Sequence, residues 1–286
     1  MTRESGPLKV KRLSNALGAE VLDVDLSQPL NSETVSALHE AWEEHIILLF
    51  RDQNIDTDQQ IDFVKNFGNM GTRSRPPERR PEGPDYNASV MLVSNVKKDG
   101  RYVGSLPDGE MWFHHDMCYE REPHRGTFLY AMELPSTGGN TLFANMYMAY
   151  DALSEEVKKR IKGQHALQIY DFGMREAVNI ADDISKYKHE IQSVTISHPR
   201  TGRRALYVNP LITARIEDWT ENESRKMLDE LFKFSENKNI MYEHEWRVGD
   251  LIMWDNWCSC HARTDFPASE RRMLRRCTIK GEALYE

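Results

Sequence analysis

The hydrophobic positions near the start of the chain predict two helices around one buried strand. An Asn31 cap and an acidic first turn precede apolar residues at helical spacing, which indicates a helix. The continuous apolar run at 46–50, IILLF, is typical of a buried strand. Residues 57–60 match a capping-box pattern and predict a second helix that ends near Gly68.

From Ser89 onward, short β-rich runs alternate with turns. The predicted strands are SVMLVSNV, RYVGSL, MWFHHDMCY and GTFLYAMEL in the middle of the chain, and SVTISH, RALYVN, DLIMW and RRCTIKG in its final third. Two helices interrupt them, one beginning at a Ser154 cap and one over 222–234. This pattern predicts a mainly β fold with flanking helices, either a sandwich or a jelly roll.

The segment 71–84 has a different composition from the rest of the chain. It contains four prolines, four arginines and almost no apolar residue, so it cannot pack a core. We expect a mobile surface loop there, which is either a solvated linker or a lid near a ligand site. The irregular stretch 170–190 is a second candidate lid.

Composition and charge narrow the class of protein. A chain of 286 residues fits a single domain over 1–286. The 37 basic and 45 acidic residues give a net charge of -8, which argues against nucleic acid or an anionic membrane as partner and favours a small molecule. Four irregularly spaced cysteines indicate reduced thiols, and no apolar run is long enough to span a membrane. We therefore expect a soluble, cytoplasmic protein.

The run at 112–119 carries the first candidate metal ligands. Because side chains alternate along a strand, His114 and Asp116 would share one face and His115 would point away. A third ligand is needed, and His261 is preferred because it follows a turn and a buried strand. Most other histidines lie beside turns or in charged, exposed-looking runs: His124, His189, His198 and His244. Two histidines and one carboxylate suit a non-haem Fe(II) oxygenase, whereas a zinc hydrolase more often uses three strong ligands around a water.

Eight short motifs occur in order between about Gly18 and Gly281. They are FRDQ at 50–53, FVKNFG at 63–68, SNVKKDG at 94–100, His114-x-Asp116, ELPSTGGNT at 133–141, HPRTGRRALYVN at 198–209, WDNxxxxH ending at His261, and RRMLRRCTIKG at 271–281. In this order they resemble the taurine dioxygenase family, the 2-oxoglutarate-dependent oxygenases that include the 2,4-dichlorophenoxyacetate dioxygenases.

The resemblance implies a double-stranded β-helix core, which is a cupin-like jelly roll, and a homodimer or homotetramer. The implied cofactors are Fe(II), 2-oxoglutarate and O2. The implied site residues are His114, Asp116 and His261 as iron ligands, Thr141 and Arg272 as 2-oxoglutarate contacts, and Arg276 near the organic substrate or the near end of the cosubstrate.

Chemistry supports the arginines independently. A dicarboxylate that chelates iron leaves a distal carboxylate, and a guanidinium can pair with it through two hydrogen bonds. On a strand Arg272 and Arg276 share a face, while Arg271 and Arg275 share the opposite one. One pair can therefore face the pocket and the other pair water.

Other residues near these motifs have two readings each. Asn95 is either an amide that lines the substrate pocket or a turn residue. Trp254 and Asp255 are expected to buttress the strand before His261, with a hydrogen bond from Asp255 or Asn256 to a ligand as the alternative. The stretch 69–112 contains no histidine, although taurine-specific members place a substrate-binding histidine there, so taurine is not the expected substrate.

The expected function is a dioxygenase that hydroxylates a small, anionic organic substrate and releases succinate and CO2. The same oxidation could lead to C–O, C–S or C–N cleavage, desaturation or cyclisation. A zinc-dependent hydrolase would share the three ligands but would have no use for Thr141 and Arg272. A binding protein without activity would tolerate the loss of the ligands, and this chain retains them.

Overall fold

A computed structural model describes residues 2–5, 8–106, 109–171 and 183–286, with the backbone alone for 2–5. The strands are β1 (Thr2–Ser5), β2 (Leu8–Arg12), β3 (Ala19–Leu22), β4 (Ile47–Phe50), β5 (Val90–Ser94), β6 (Lys97–Lys98), β7 (Arg101–Tyr102), β8 (Met111–His114), β9 (Gly126–Glu133), β10 (Thr141–Asn145), β11 (His165–Tyr170), β12 (Lys188–Ser193), β13 (Thr195–Ser197), β14 (Arg204–Leu206), β15 (Thr213–Ile216), β16 (Met241–His244), β17 (Leu251–Asp255), β18 (Ser259–Arg263) and β19 (Met273–Ile279). The helices are α1 (Ser32–His45), α2 (Thr57–Lys65), α3 (Met146–Asp151), α4 (Glu155–Ile161) and α5 (Glu221–Ser235).

The major sheet is buried on both faces. Its strand order is β1-β2-β3-β4-β17-β9-β19-β5, and only β3 and β4 pair in parallel. Ile47 and Leu49 of β4 belong to the core on one face, whereas Leu48 and Phe50 pack with residues of α1 and α2 on the other. A strand covered on both sides can be apolar at every position, which explains the last four residues of the run IILLF; its first residue, Ile46, is the C-cap of α1.

The minor sheet, β16-β10-β18-β8, faces the major sheet across the larger core. The ring of Phe143 on β10 meets that of Trp254 on β17 edge-on, with 5.3 Å between the centroids. The fold is mainly β with a jelly-roll core, which confirms the predicted fold class. The two sheets bring β8, β10, β18 and β19 together, and these strands carry or adjoin every residue of the predicted site except Asn95, which follows β5.

The helix ends follow their capping residues. Asn31 caps α1 through a hydrogen bond from the Thr34 backbone N–H, as predicted. The capping box of α2 is formed by Asp56 and Gln59, one residue earlier than the sequence pattern indicated, and the helix ends at Lys65 instead of near Gly68. The short helix α3 was not predicted; its cap is Asn145, which accepts hydrogen bonds from the next turn.

The segment 71–84 contains one short 3-10 turn, Pro77–Arg79. Its ends are held by charge instead of apolar packing: Arg73 and Glu82 form an ion pair at 3.0 Å whose side chains are 9% and 1% exposed. Ser74 also donates a hydrogen bond to Glu120. This segment therefore buries charged groups although it cannot build a core, and its mobility stays a prediction.

Two further expectations concern the chain as a whole. Most of the candidate lid at 170–190 lies outside the described residues, since 172–182 are not among them. The four cysteines are free and buried: Cys118, Cys258, Cys260 and Cys277. No helix in the described ranges combines the length and the apolarity that crossing a bilayer requires.

Candidate active site

Two histidines face each other across neighbouring strands of the minor sheet. His114 is the last residue of β8 and pairs directly with His261 on β18, and their ring centroids are 4.1 Å apart. Asp116 lies in the turn after β8, with its Oδ1 3.9 Å from His114 Nε2. One possible ligand atom from each residue lies within 4.8 Å of the others. The three side chains, called the triad below, can therefore reach one metal ion.

The contacts behind the triad leave a ligand atom free to face its centre. His114 Nδ1 lies 2.8 Å from the carbonyl oxygen of Trp112, so Nδ1 carries the proton and Nε2 keeps its lone pair. Asp116 Oδ2 accepts a hydrogen bond of 2.7 Å from the Thr127 hydroxyl. Asp116 Oδ1 and His114 Nε2 are thus available for a metal.

Burial and charge set the protonation states of the triad. Burial lowers the pKa of His114. Burial, and next the neighbouring His114, holds the pKa of His261 well below its usual range. Burial alone would raise the pKa of Asp116, but the positive charge of Arg276, followed by the electrostatic effect of the two imidazoles and the hydrogen bond from Thr127, outweighs burial and holds that pKa low. Neutral imidazoles and an ionised carboxylate are the forms that bind a divalent metal.

His115 points away from the triad, as strand alternation predicts. It is fully buried, its ring centroid is 4.6 Å from that of Tyr207, and burial lowers its pKa to about 3. The predicted strand 111–119 is shorter than expected, however. It stops at His114, and Met117 adopts a left-handed backbone conformation with φ 63°, so Asp116 reaches the triad from a turn.

The inner chamber is a cavity of about 70 Å³ beside the triad. It is lined by Val93, Leu106, Met111, His114, Asp116, Leu129, Thr141, Trp254, His261, Ala262, Arg263, Arg272 and Arg276. Thr141 opens β10, and Arg272 directly precedes β19. The two residues that the sequence assigned to a cosubstrate therefore line one cavity with the triad.

Arg272 is a buried cation in need of an anion. Its side chain is 2% exposed, Nη2 donates to the carbonyl of Gly139 at 3.0 Å, and Nε has no hydrogen-bond partner among the described residues. Burial, and next the charge of Arg263, lowers its pKa to about 9. Gly139 has φ +67°, and a Cβ there would lie 2.9 Å from Arg272 Nε, so only glycine allows this close approach. An anionic ligand would satisfy Arg272.

Trp246 fixes the direction of the Thr141 hydroxyl. The indole N–H of Trp246 lies 3.1 Å from Thr141 Oγ1 and can only donate to it. The hydroxyl proton of Thr141 must therefore point elsewhere, and Thr141 itself lines the inner chamber. Thr141 is thus a hydrogen-bond donor for an acceptor in this cavity.

The outer chamber is a cavity of about 100 Å³ on another side of the triad. It is lined by Thr72, Arg73, Ser74, Arg75, Ser89, Met91, Ser105, Leu106, Met111, His114, His115, Asp116, Met117, Tyr119, His124, Tyr170, Leu211, Ile212, Arg276 and Thr278. The rings of Tyr119 and Tyr170 stack almost in parallel, 4.5 Å apart. The two chambers share His114, Asp116 and Arg276, so a molecule in either one can approach the triad.

The four arginines near the C-terminus separate by face, with one difference from the expectation. Arg272 and Arg276 line the chambers, and Arg276 Nη2 lies 2.7 Å from Asp116 Oδ2. Arg271 is exposed and pairs with Glu133. Arg275, expected in water, is 5% exposed and donates to Gln60 and to the carbonyls of 55 and 56. It fastens the start of α2 to the major sheet.

Asn95 lies outside both chambers. Its side chain accepts a hydrogen bond of 2.8 Å from the Arg272 backbone N–H and donates one of 2.7 Å to the Glu270 carbonyl. The sequence expectation of a substrate contact is replaced by this placement, in which Asn95 clamps the backbone that carries Arg272.

Two other histidines are engaged elsewhere. The expectation that His244 is exposed is wrong: it is fully buried, 3.2 Å from a buried Asp250. His198 forms a second close cluster with Asp255 and Cys258. There Nδ1 of His198 accepts from backbone N–H groups and Nε2 faces Asp255 at 3.1 Å, while burial keeps the pKa of Cys258 well above its usual range. This second cluster is saturated and does not offer a metal site.

Sequence reasoning missed several residues around the triad. Tyr119, Tyr170 and Trp246 carried no motif. Tyr119 and Tyr170 line the outer chamber and Trp246 contacts Thr141 because the fold brings distant segments together. Thr127 is one residue of a continuous apolar strand, so nothing in the pattern singled out its hydroxyl. Asn256 was named as an alternative contact to a metal ligand. It donates its hydrogen bond to Thr127 instead, and Thr127 in turn donates to Asp116.

The donor set and the buried Arg272 together fit one class of metalloenzyme. Two imidazoles and one carboxylate leave the remaining positions around an iron ion open, and Arg272 with Thr141 offers a cation and a donor for a carboxylate beside them. This is the class of Fe(II)-dependent oxygenases that use a dicarboxylate cosubstrate.

Comparisons with known proteins identify the family. The family model described as "Taurine catabolism dioxygenase TauD, TfdA family" matches residues 9–278. The chain is 31% identical to the alpha-ketoglutarate-dependent 2,4-dichlorophenoxyacetate dioxygenase of Cupriavidus pinatubonensis, over 93% of this chain and 95% of that protein. It is also 31% identical to pentalenolactone F synthase of Streptomyces avermitilis, over 92% and 90% of the two chains.

Solved structures agree with the sequence matches. A taurine dioxygenase from Burkholderia xenovorans superposes with a TM-score of 0.81 at 24% identity, covering 98% of this chain and 91% of that one, and shows the shared fold. AAD-2 in complex with Mn(II) and N-oxalylglycine gives a TM-score of 0.78 at 26% identity, over 96% and 98% of the chains. The chain belongs to the TauD, TfdA family. It is an Fe(II)/2-oxoglutarate-dependent dioxygenase, with Fe(II), 2-oxoglutarate and O2 as its cofactors.

Proposed function

We propose that the protein hydroxylates a C–H bond of a small, anionic organic substrate while 2-oxoglutarate is converted to succinate and CO2. The observation that carries this proposal is the pair of chambers that meet at the triad, one of which contains the buried Arg272 without an acidic partner in the described part of the chain. A cosubstrate and a substrate would each have their own binding space beside one metal.

His114, Asp116 and His261 would hold the iron. When bound, Fe(II) supplies the activation of O2, one atom of which enters the substrate and the other succinate. The protein's part is to present two neutral imidazoles and one carboxylate from one side, so that other positions stay open to the keto acid and to O2. The triad side chains are mostly buried, with His114 14% and Asp116 12% exposed, which limits the access of bulk water to the reaction.

Arg272 and Thr141 would bind the distal carboxylate of 2-oxoglutarate. The guanidinium supplies the charge and parallel donors, and the hydroxyl, directed by Trp246, supplies a further hydrogen bond. Both groups are nearly inaccessible to water. In such a buried place a charge-assisted hydrogen bond is stronger than at the surface. A buried dicarboxylate end would thereby be neutralised.

Arg276 would anchor the organic substrate in the outer chamber. It lines both chambers and lies next to Asp116, so an anion that it binds would be close to the metal. The walls around it include the Tyr119–Tyr170 stack and apolar side chains such as Leu211 and Ile212. These features suit a carboxylate or similar anion attached to an apolar or aromatic body. Segment 71–84 would close over it.

The relatives suggest which bond is oxidised. Two of them are named for 2,4-dichlorophenoxyacetate and phenoxypropionate, in which the carbon beside the carboxylate bears oxygen. Hydroxylation of such a carbon gives a hemiacetal-type product that collapses with C–O cleavage. Cleavage of C–S or C–N bonds, desaturation and ring formation are further outcomes of the same oxidation on other substrates.

The experiment is oxygen uptake coupled to succinate release, with Fe(II) and 2-oxoglutarate, across aryloxy carboxylates, alkyl sulfates, sulfonates and neutral analogues of equal size. We expect turnover with an anion and not with its neutral ester or amide. Turnover with Zn(II) and without 2-oxoglutarate would instead favour the hydrolase alternative. Indifference of the reaction to Arg276→Ala would remove the anchoring role.

We also propose that the protein is a homodimer or homotetramer in the cytoplasm, on the basis of the family and of the four reduced thiols. Light scattering after size-exclusion chromatography tests the assembly, and a monomer at micromolar concentration would contradict it.

A further inference from the structure

A chain of buried hydrogen bonds runs from Trp254 to the carboxylate of the triad. Trp254 Nε1 lies 2.7 Å from Asn256 Oδ1, Asn256 Nδ2 lies 2.9 Å from Thr127 Oγ1, and Thr127 Oγ1 lies 2.7 Å from Asp116 Oδ2. Trp254, Asn256 and Thr127 are each at most 1% exposed. Water therefore has no access to these groups, and each donor and acceptor depends on its neighbour in the chain.

The direction of every proton in this chain is determined by its first member. An indole N–H can only donate, so the Asn256 side chain must turn its oxygen toward Trp254 and its NH2 group toward Thr127. Thr127 Oγ1 then accepts from Asn256, and its one hydroxyl proton is left for Asp116 Oδ2. The relay, as we call Trp254, Asn256 and Thr127, thus delivers a directed donor to one oxygen of the carboxylate.

Two groups hold Oδ2 of Asp116. Arg276 Nη2 forms an ion pair with it at 2.7 Å, whereas Thr127 directs a hydroxyl proton at it from the buried side. Thr127 makes the only hydrogen bond to the Asp116 side chain within the described ranges. Asp116 itself lies in a turn after β8 and not on the strand, so the sheet ladder does not fix its orientation.

We propose that Thr127 is a positioning residue that, with Asn256 and Trp254 behind it, holds Asp116 Oδ2 and presents Oδ1 to the iron. Trp254 also packs against His261, with 4.9 Å between ring centroids. One tryptophan therefore touches one proposed metal ligand directly and orients another through three hydrogen bonds. This inference rests on the proposed role of the triad as the iron site.

The alternative is that the relay serves the fold alone. Thr127 and Asn256 lie deep in the core, and the loss of their hydrogen bonds would destabilise the protein in any case. Only a measurement of metal binding, taken beside a measurement of stability, separates the two roles.

The test uses three variants of the full chain. Thr127→Val keeps the shape of the side chain and removes the hydroxyl, and Thr127→Ser keeps the hydroxyl. Thr213→Val is the matched control, because the Thr213 hydroxyl, like that of Thr127, is buried and both accepts and donates a hydrogen bond. It accepts from the Asn209 backbone N–H and donates to the Gln168 side chain, and it contacts no triad residue. Mn(II) is titrated into each metal-free protein by calorimetry, and urea unfolding is measured without metal.

We expect Thr127→Val to bind Mn(II) on the order of tenfold or more weakly than the unsubstituted protein, as is typical for the loss of a group that orients a metal ligand. Thr127→Ser should restore the affinity to within about threefold of it. Thr213→Val should lose stability and keep the full affinity.

The outcomes distinguish this inference from the proposed function. If the unsubstituted protein binds Mn(II) and Thr127→Val binds it equally well, or if Thr213→Val loses as much affinity as Thr127→Val, the positioning role is overturned and the iron site stands. If the unsubstituted protein binds no Mn(II), the site itself fails and the inference fails with it.

Discussion

Replacing Arg272 by methionine should stabilise the free protein and abolish its response to the cosubstrate. The guanidinium is 2% exposed and has no acidic partner in the described ranges. Its pKa falls from 12.5 to about 9. Since a tenfold change in a protonation equilibrium is about 1.4 kcal/mol, the buried charge costs at most about 5 kcal/mol at neutral pH.

The sign follows from linkage. Because the pKa is lower in the folded protein, the unfolded chain binds more protons between pH 9 and 12.5, and the contribution of Arg272 to stability rises over that window and is unfavourable below it. Methionine fills similar volume without charge and loses the hydrogen bond to Gly139, which offsets about 1 kcal/mol. We expect Arg272→Met to be about 1–4 kcal/mol more stable than the unsubstituted protein without ligand.

Binding of a cosubstrate analogue should make the unsubstituted protein more stable than Arg272→Met. N-oxalylglycine, which is isosteric with 2-oxoglutarate, should stabilise the unsubstituted protein in the presence of Mn(II), because it binds only the folded state. Loss of a buried charge pair typically costs about 2–5 kcal/mol of binding free energy. The dissociation constant of Arg272→Met should therefore rise by roughly 30-fold to several thousandfold, which abolishes the stabilisation at ordinary ligand concentrations.

The assay is urea unfolding at pH 7.5 of metal-loaded protein with and without N-oxalylglycine, with calorimetric titration for the affinity. Arg275→Met is the control, because Arg275 is also buried, at 5% exposure, and each of its side-chain nitrogens has a partner among Gln60, Thr57 and backbone carbonyls. It should lose at least about 3 kcal/mol of stability and keep its affinity for N-oxalylglycine. A free Arg272→Met protein more than about 1 kcal/mol less stable than the unsubstituted one, or one that binds N-oxalylglycine normally, would refute the reasoning.

Three further predictions follow from the site. Arg276→Ala should lower kcat/KM for an anionic substrate by at least about 30-fold while Arg276→Lys retains part of it, and equal kinetics would contradict the anchoring role. Trp246→Phe should raise the KM for 2-oxoglutarate by about 3- to 15-fold, because the Thr141 hydroxyl loses its directing donor; an unchanged KM would show that the direction is immaterial. Asp255→Asn should cost roughly 2–4 kcal/mol at pH 7. Burial would raise the pKa of Asp255, but the nearby His198 and Arg125 outweigh burial and lower that pKa. The stability deficit of Asp255→Asn should therefore shrink as pH falls below about 3.8. A deficit in urea unfolding that does not depend on pH would be the contrary result.

The strands and helices could be predicted where the pattern of burial is local. The run IILLF and the Asn31 cap are examples, because burial on both faces and a side-chain cap are both visible in the sequence. The α2 cap was displaced by one residue because Asp56 and Thr57 both suit the position, and only the backbone decides between them. The segment 71–84 was expected to be a mobile surface loop that packs no core, and its composition did not reveal the buried ion pair Arg73–Glu82.

The candidate site could be predicted where residues form spaced motifs. Alternation separated His114 and Asp116 from His115 even though Asp116 proved to lie in a turn, because the first residue of that turn still directs its side chain beside the strand end. The positions of Tyr119, Tyr170, Trp246 and Thr127 depend on contacts between segments far apart in sequence. No local pattern encodes such contacts, and for the same reason the sequence left two readings of Asn95 open and did not indicate its hydrogen bond to the backbone of Arg272.

The cross-strand pairing of His114 with His261 has an evolutionary consequence. The spacing of the two imidazoles is set by the repeat of a β-ladder, whereas the walls of the outer chamber come largely from connecting segments. Insertions and substitutions in those connections can change which compound is oxidised without disturbing the reaction centre. Such an arrangement makes exchange of the connecting segments the natural route for redesigning the substrate range of this protein.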